Sequence, residues 1–204
     1  MTVNNDDRKK EEVISSDIVK TFGDYTGARS YLNELGAKLI LPTALSIMDI
    51  LAPPLEFTRV VELGAGFGWM GRGISSYYKL PYLSVDLSDY APVDIIADIE
   101  SPQGQRVITD RLLPLDLIVM SEVIHCLKDP ISAMKPFWAW PMVVIEFWPA
   151  AISYCPIFNN GEKNYHLGHA PEKTIHDIFP NSKIRTFSIE THALWVITPK
   201  AIYK

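Results

Sequence analysis

The chain has 204 residues, 48% of them hydrophobic and 21% charged, which suits one globular domain with a sizeable core. A net charge of −5 and a pI near 5.5 argue against a general binder of nucleic acid or anionic membranes, since both need a basic face. The two cysteines, Cys126 and Cys155, share no CxxC spacing and no cluster of ligands, which points to reduced thiols in a cytoplasmic protein and to no metal site.

Residues 1–17, MTVNNDDRKKEEVISSD, are polar and charged and read as a solvated, disordered tail without the apolar core of a signal peptide. From Asp17 to Leu51 apolar residues recur at helical intervals, and ALSIMDIL stops at Pro53-Pro54. The expected division is therefore a helical cap over 18–55 and a core over 56–204. In that core RVVEL, YLSVDL, DIIADI, LDLIVMS and PMVVIEF read as strands. GWMGRGISSYY, SPQGQRVITDRL, HCLKDPISAMKPF and PEKTIHDIF read as the helices between and after them. SKIRTFSIE and HALWVITPK close the chain as two antiparallel strands. The most apolar stretch, Phe137 to Ile152, is interrupted by Pro141, Glu146 and Pro149 and cannot span a membrane. Nearly all-apolar strands alternating with helices imply an α/β fold: a doubly wound, mostly parallel seven-stranded sheet, helices on both faces, and an N-terminal helical extension.

In such sheets a ligand lies beyond the carboxyl ends of the strands, at the point where strand order reverses. VVELGAGFGWMGRG occupies that position after the first strand. Its glycines allow a tight turn and let a ligand lie against the backbone. Gly66 to Gly71 also fits GxGxxG, but Glu62 beside the turn would repel a pyrophosphate. It would attract a ligand with a positive end, such as the ammonium and sulfonium of S-adenosylmethionine. Asp86, 24 positions beyond Glu62, ends the second strand where a carboxylate can accept both ribose hydroxyls of an adenosine. Asp98 ends the third, where an acid and the backbone N–H of Ile99 suit an adenine.

ExGxGxG, the acid ending the second strand, the acid–apolar pair ending the third, and LDLIVMSEVIHCLKDP together resemble the class I S-adenosylmethionine-dependent methyltransferases. The short interval between Asp86 and Asp94 resembles members whose second helix is reduced to a turn, and YHLGHAPEKTIHDIF resembles the helix start after the fifth strand. The resemblance covers roughly Arg59 to Lys200. It implies that Glu62, Gly64, Ala65, Gly66 and Gly68 hold the methionine end of S-adenosyl-L-methionine, that Asp86 and Leu87 hold the ribose, and Asp98 and Ile99 the adenine. Ser121 and Glu122 would meet the cofactor after the fourth strand. Where many relatives have Leu-Pro-Phe after the third-strand acid, this chain has Glu100-Ser101-Pro102, so its adenine side is expected to be built differently.

Two alternatives stay open: a non-catalytic interaction or regulatory protein on the same fold, and a nicotinamide dehydrogenase. A short-chain dehydrogenase would need Tyr-x-x-x-Lys, and no tyrosine here has Lys four residues later.

Methyl transfer is an in-line displacement that needs orientation and water exclusion, and a base only for some acceptors. His125 and Glu122 follow the fourth strand, and Tyr165, His166 and His169 follow the fifth. His125 or His166 is the expected catalytic group; Glu122, three residues before His125, would share its face if that turn is helical. His176 and His192 read as structural. Phe22, Tyr25 and Arg29 could form a lid, and Trp138, Trp140, Phe147 and Trp148 cluster around the fifth strand, mostly as core. Little decorates the core, which favours a small-molecule acceptor over nucleic acid or membrane; oligomeric state stays open.

Overall fold

Every residue of the two runs DLIVM and MVVIE is buried, as the nearly unbroken apolar pattern requires of strands covered on both faces. The computed structural model describes residues 38, 40–49, 57–87, 92–147, 171–189 and 192–200. Seven strands form one sheet: β1 (Arg59–Leu63), β2 (Tyr82–Asp86), β3 (Ile95–Ile96), β4 (Asp116–Ser121), β5 (Met142–Phe147), β6 (Ser182–Ile189) and β7 (His192–Pro199). Their order is β3-β2-β1-β4-β5-β7-β6. β1 to β5 run parallel, and β7 alone runs against the other six strands, antiparallel to both β5 and β6. The chain moves outward from β1 through β2 and β3, then returns to β4, so the order reverses between β1 and β4.

Helices α1 (40–49) and α2 (Trp69–Tyr78) cover one face, where Ile40, Ala44, Met48, Met70 and Ile74 pack on Val60, Val119 and Ile145. The opposite face carries α3 (Pro102–Thr109), α4 (Pro130–Met134) and α5 (Pro171–Ile178), through Ile108, Met134, Ile175 and Ile178. Within the expected cap, 40–49 is helical as anticipated; the tail over 1–17 and the lid residues Phe22, Tyr25 and Arg29 lie outside the described residues. Asp49 ties α1 to α2 by accepting from the hydroxyls of Tyr77 (2.5 Å) and Tyr78 (2.9 Å). No helix among the described residues is long and apolar enough to cross a membrane.

Two elements differ from the pattern reading. The third strand has only two ladder residues, Ile95 and Ile96. It is the sheet edge, and the Asp98 carboxylate captures the Glu100 N–H at 2.8 Å, a local turn that draws the chain off the ladder. HCLKDPISAMKPF is not one helix: a 3-10 turn (Ile124–Cys126) precedes α4, and a second (Lys135–Phe137) follows it. Pro130 keeps Asp129 out of the helical region, at φ −132 and ψ 84, and Asp129 becomes the cap, accepting from Ser132 N–H at 3.1 Å.

At the amino ends of β1 and β4 the Arg59 guanidinium grips Asp116 through two bonds, of 3.0 and 2.6 Å, and Leu113 N–H adds a third to the same carboxylate. Asp116 is fully buried. Arg59→Ala would strand that charge and is expected to cost about 3–5 kcal/mol in urea unfolding. The pair is at the end of the sheet away from the glycine turn, so the folded fraction should bind ligand as the wild type does.

Candidate cofactor site

At the carboxyl end of β1 the backbone turns through three left-handed residues, Gly64 (φ 70), Gly66 (φ 51) and Gly68 (φ 74), a conformation that only glycine adopts freely. Gly68 N–H closes the turn on Ala65 C=O at 2.7 Å, and Ala65 N–H bonds Val85 C=O of β2 at 2.9 Å. Space is also short. A Cβ on Gly64 would collide with the Val123 side chain, and one on Gly68 would lie 2.7 Å from the Tyr82 hydroxyl. Gly71 has a third reason, since its Cβ would meet Glu62 Oε2 at 2.5 Å and the Tyr82 ring at 2.6 Å.

Glu62 is buried beneath this turn. Its Oε1 accepts from Gly71 N–H at 3.0 Å, in the first turn of α2, and its Oε2 accepts from the Tyr82 hydroxyl in a very short bond. Burial pushes its carboxyl up to about 7, against the opposing pull of the Tyr82 and Gly71 bonds and of the Arg72 charge.

Asp86, ending β2, accepts from Gly66 N–H through Oδ2 at 2.8 Å, which joins the second expected acid to the middle of the turn. Beside it Leu87 is 68% exposed and Ile96 60% exposed, an apolar pair at the carboxyl edge of the sheet. Asp98 sits at the start of its own turn, and its carbonyl accepts from Ser101 N–H and hydroxyl, both at 3.1 Å. Ile99 is buried in the core by its side chain, and its carbonyl accepts from Gln105 at 3.0 Å. Gly104 of α3 lies directly on the Asp98 backbone, with no room for a Cβ. Glu100, at the position where the chain departs from the common pattern, accepts from the N–H groups of Lys128 (2.7 Å) and Asp129 (3.2 Å). The third-strand turn is thereby anchored to the loop after β4.

Across the reversal point, β4 ends at Ser121 and the chain passes through Glu122, a non-glycine residue at φ 60. Glu146 of β5, fully buried, accepts from Val123 N–H (2.9 Å) and Ile124 N–H (2.7 Å) and sets Val123 against Gly64. The Glu122 carboxylate lies 3.5 Å from Nε2 of His192, the first residue of β7. Burial pushes His192 down to about 4, so it is a neutral imidazole at physiological pH even beside a carboxylate. Among the described residues no group of three or more His, Cys, Asp or Glu is placed to hold a metal ion.

No family model and no curated sequence matches the chain. Solved structures do. Human N-acetylserotonin methyltransferase bound to S-adenosylmethionine superposes with a TM-score of 0.62 at 12% identity, over 89% of this chain and 57% of that one. The plantazolicin methyltransferase BpumL bound to S-adenosylhomocysteine gives 0.61 at 13% identity, over 96% and 98%. An O-methyltransferase family protein from Burkholderia thailandensis gives 0.59 at 15% identity, over 88% and 61%. The fold is that of the class I S-adenosylmethionine-dependent methyltransferases. S-adenosylmethionine is bound in the first of these structures and S-adenosylhomocysteine in the second.

Within this methyltransferase fold, the expected residues Glu62, Gly64, Ala65, Gly66, Gly68, Asp86 and Leu87 come together around one turn. Ser121 and Glu122 face them across the reversal point, and Asp98 and Ile99 stand beside them after β3. The acceptor side came out differently. Glu122 lies outside the 3-10 turn that holds His125, with a left-handed backbone, so helical spacing does not put the two on one face. Glu122 is next to His192 instead. Tyr165, His166, His169 and Trp148 lie outside the described residues. His176 is exposed on α5. Trp140 lies at the amino end of β5, bonded to Leu113 C=O at 2.8 Å, so it does not line the carboxyl-end crevice. Tyr82 and Glu146 were missed; the only signal for Glu146 was an acid inside an apolar strand.

The depressed His192 has a sign that can be measured. Its neutral form is favoured on folding, so its contribution is complete above pH 6.5 and is lost as pH falls toward 4. The melting-temperature advantage of wild type over His192→Gln should shrink across that window, as followed by thermal unfolding at a series of pH values.

Proposed function

We propose that the chain is an S-adenosylmethionine-dependent methyltransferase acting on a small-molecule acceptor by in-line displacement, within one domain over 18–204. The observation that carries this is the bond from Gly66 N–H to Asp86 at the reversal point, which joins a left-handed glycine turn to a carboxylate ending β2. Backbone N–H donors, an accepting carboxylate at the ribose position and the apolar Leu87 and Ile96 form a lining matched to an adenosyl group rather than to a free phosphate. Bound there, the cofactor supplies a methyl carbon already activated by its sulfonium.

The chain's own part is binding and orientation. Glu62 anchors the first turn of α2 through Gly71 N–H, just beyond the glycine turn, and adds negative charge near the cationic methionine end. Asp86 and Leu87 serve the ribose, Asp98 and Ile99 N–H the adenine, and Ser121 and Glu122 the side facing the acceptor. A compact acceptor suits the little that the sequence adds beyond the core. His125 or His166 orients that acceptor or takes its proton if it is a hydroxyl or protonated amine.

S-adenosylmethionine and S-adenosylhomocysteine should raise the melting temperature by mass action on the folded state, and NAD and NADP should not. Stabilisation by NADH alone would remove the assignment. By calorimetry Asp86→Ala should lose about 1.5–3 kcal/mol of cofactor affinity, the scale of a hydrogen bond to a charged group.

With an acceptor in hand, His125→Ala or His166→Gln should lower turnover by about 10²-fold or more if that residue is the base, at nearly unchanged cofactor affinity. Full activity of both variants from about pH 5 to 9, a range that brackets imidazole titration, would return both histidines to structural roles.

A further inference from the structure

We propose that Tyr82 is a positioning residue for the cofactor turn: through Glu62 it holds the charge beneath Gly64–Gly68, and so couples binding of a cationic adenosyl ligand to release of one proton. The inference deepens the methyltransferase reading and rests on it.

The geometry is a three-way junction. Tyr82 of β2 donates its hydroxyl to Glu62 of β1, whose other oxygen accepts from Gly71 N–H of α2. The Tyr82 hydroxyl lies where a side chain at position 68 would go, and its ring, with Glu62 Oε2, where one at 71 would go, so the junction packs directly against both glycines. Among the described residues, two charged groups act on Glu62. Arg72, whose guanidinium lies over the Tyr82 ring at 5.0 Å, favours ionisation, and Asp86 opposes it. The β4 residue opposite Glu62 is Val119, which contributes no charge.

Two donors aimed at two oxygens match the ionised carboxylate. Gly71 N–H cannot reverse, so an added proton must go to Oε2, where the Tyr82 hydroxyl can rotate and accept instead. The junction therefore accommodates both states. Burial brings them close in energy, with the carboxyl near 7. A cation bound above the turn favours the ionised state, and the carboxyl proton leaves to solvent. Each unit by which that cation lowers the carboxyl's pKa adds about tenfold to affinity between acid and alkaline limits.

The test is calorimetry of S-adenosylmethionine binding, without acceptor, from about pH 5.5 to 8.5, a span centred on the junction's titration, in buffers of different ionisation enthalpy. Wild type should bind more tightly as pH rises through 7 and should release protons near neutrality. Glu62→Gln should bind with a flat profile and without that release. Tyr82→Phe keeps the ring but removes a donor that favours ionisation, so its midpoint should move up by about one pH unit or more. Its weaker binding should be confined to that window and vanish at the acid end. A uniform loss at every pH would mark Tyr82 as merely structural and overturn the proposal. So would a wild-type slope retained in Glu62→Gln. If either variant fails to fold by circular dichroism, buffer-dependent proton release by wild type decides alone, and its absence overturns the coupling. No binding by wild type at any pH would instead sink the methyltransferase reading, and this inference with it.

Discussion

Glu62 places its carboxylate between the Gly71 amide of α2 and the Tyr82 hydroxyl of β2, and this bond decides where the first strand–turn–helix unit can lie. A buried carboxylate without donors is costly, so β1, β2 and α2 must stay in the one arrangement that supplies them. Close approach follows. Tyr82 and Glu62 occupy the volume that side chains at 68 and 71 would take, and the turn above them is left-handed at 64, 66 and 68. The acid before the glycines is thus a structural keystone first.

A second buried acid does the same work across the reversal point. Glu146 takes the N–H groups of Val123 and Ile124, and Val123 then closes against Gly64. The two loops that would hold the cofactor are therefore tied by carboxylates on β2 and β5, with Glu62 of β1 fixing the helix after the first, while Arg59 and Asp116 secure the far end of the sheet. Stability and site geometry are served at opposite ends of β1 and β4. Among the described residues, left-handed backbone at the carboxyl end falls at the three glycines and at Glu122; Lys79, which caps α2 ahead of β2, is the other such residue.

Much of this was legible in the residue pattern. Apolar runs of five to six residues between helix-length segments identified β1, β2, β4 and β5, because a strand covered on both faces has no polar alternation to disguise it. The pattern failed where a local bond competed with the ladder or the helix. DIIADI continued as strand on paper, yet the Asp98 carboxylate bends it away after two residues. HCLKDPISAMKPF had helical spacing, yet Pro130 and the Asp129 cap divide it.

The sequence by itself determined the fold class, the place of the glycine turn and the acids at the ends of β2 and β3, because each follows from local chain chemistry. Periodicity, left-handed glycine and strand-end position are properties of a few neighbouring residues. Tertiary structure alone decided what those side chains touch. Tyr82 lies 20 residues from Glu62, and Glu146 22 or 23 from the amides it holds. Glu122 follows β4 and meets His192 of β7 past β5, the strand that lies between them in the sheet. Such pairs depend on strand order and register, and a one-residue slip of β2 would turn Tyr82 to the other face. No local pattern carries that information.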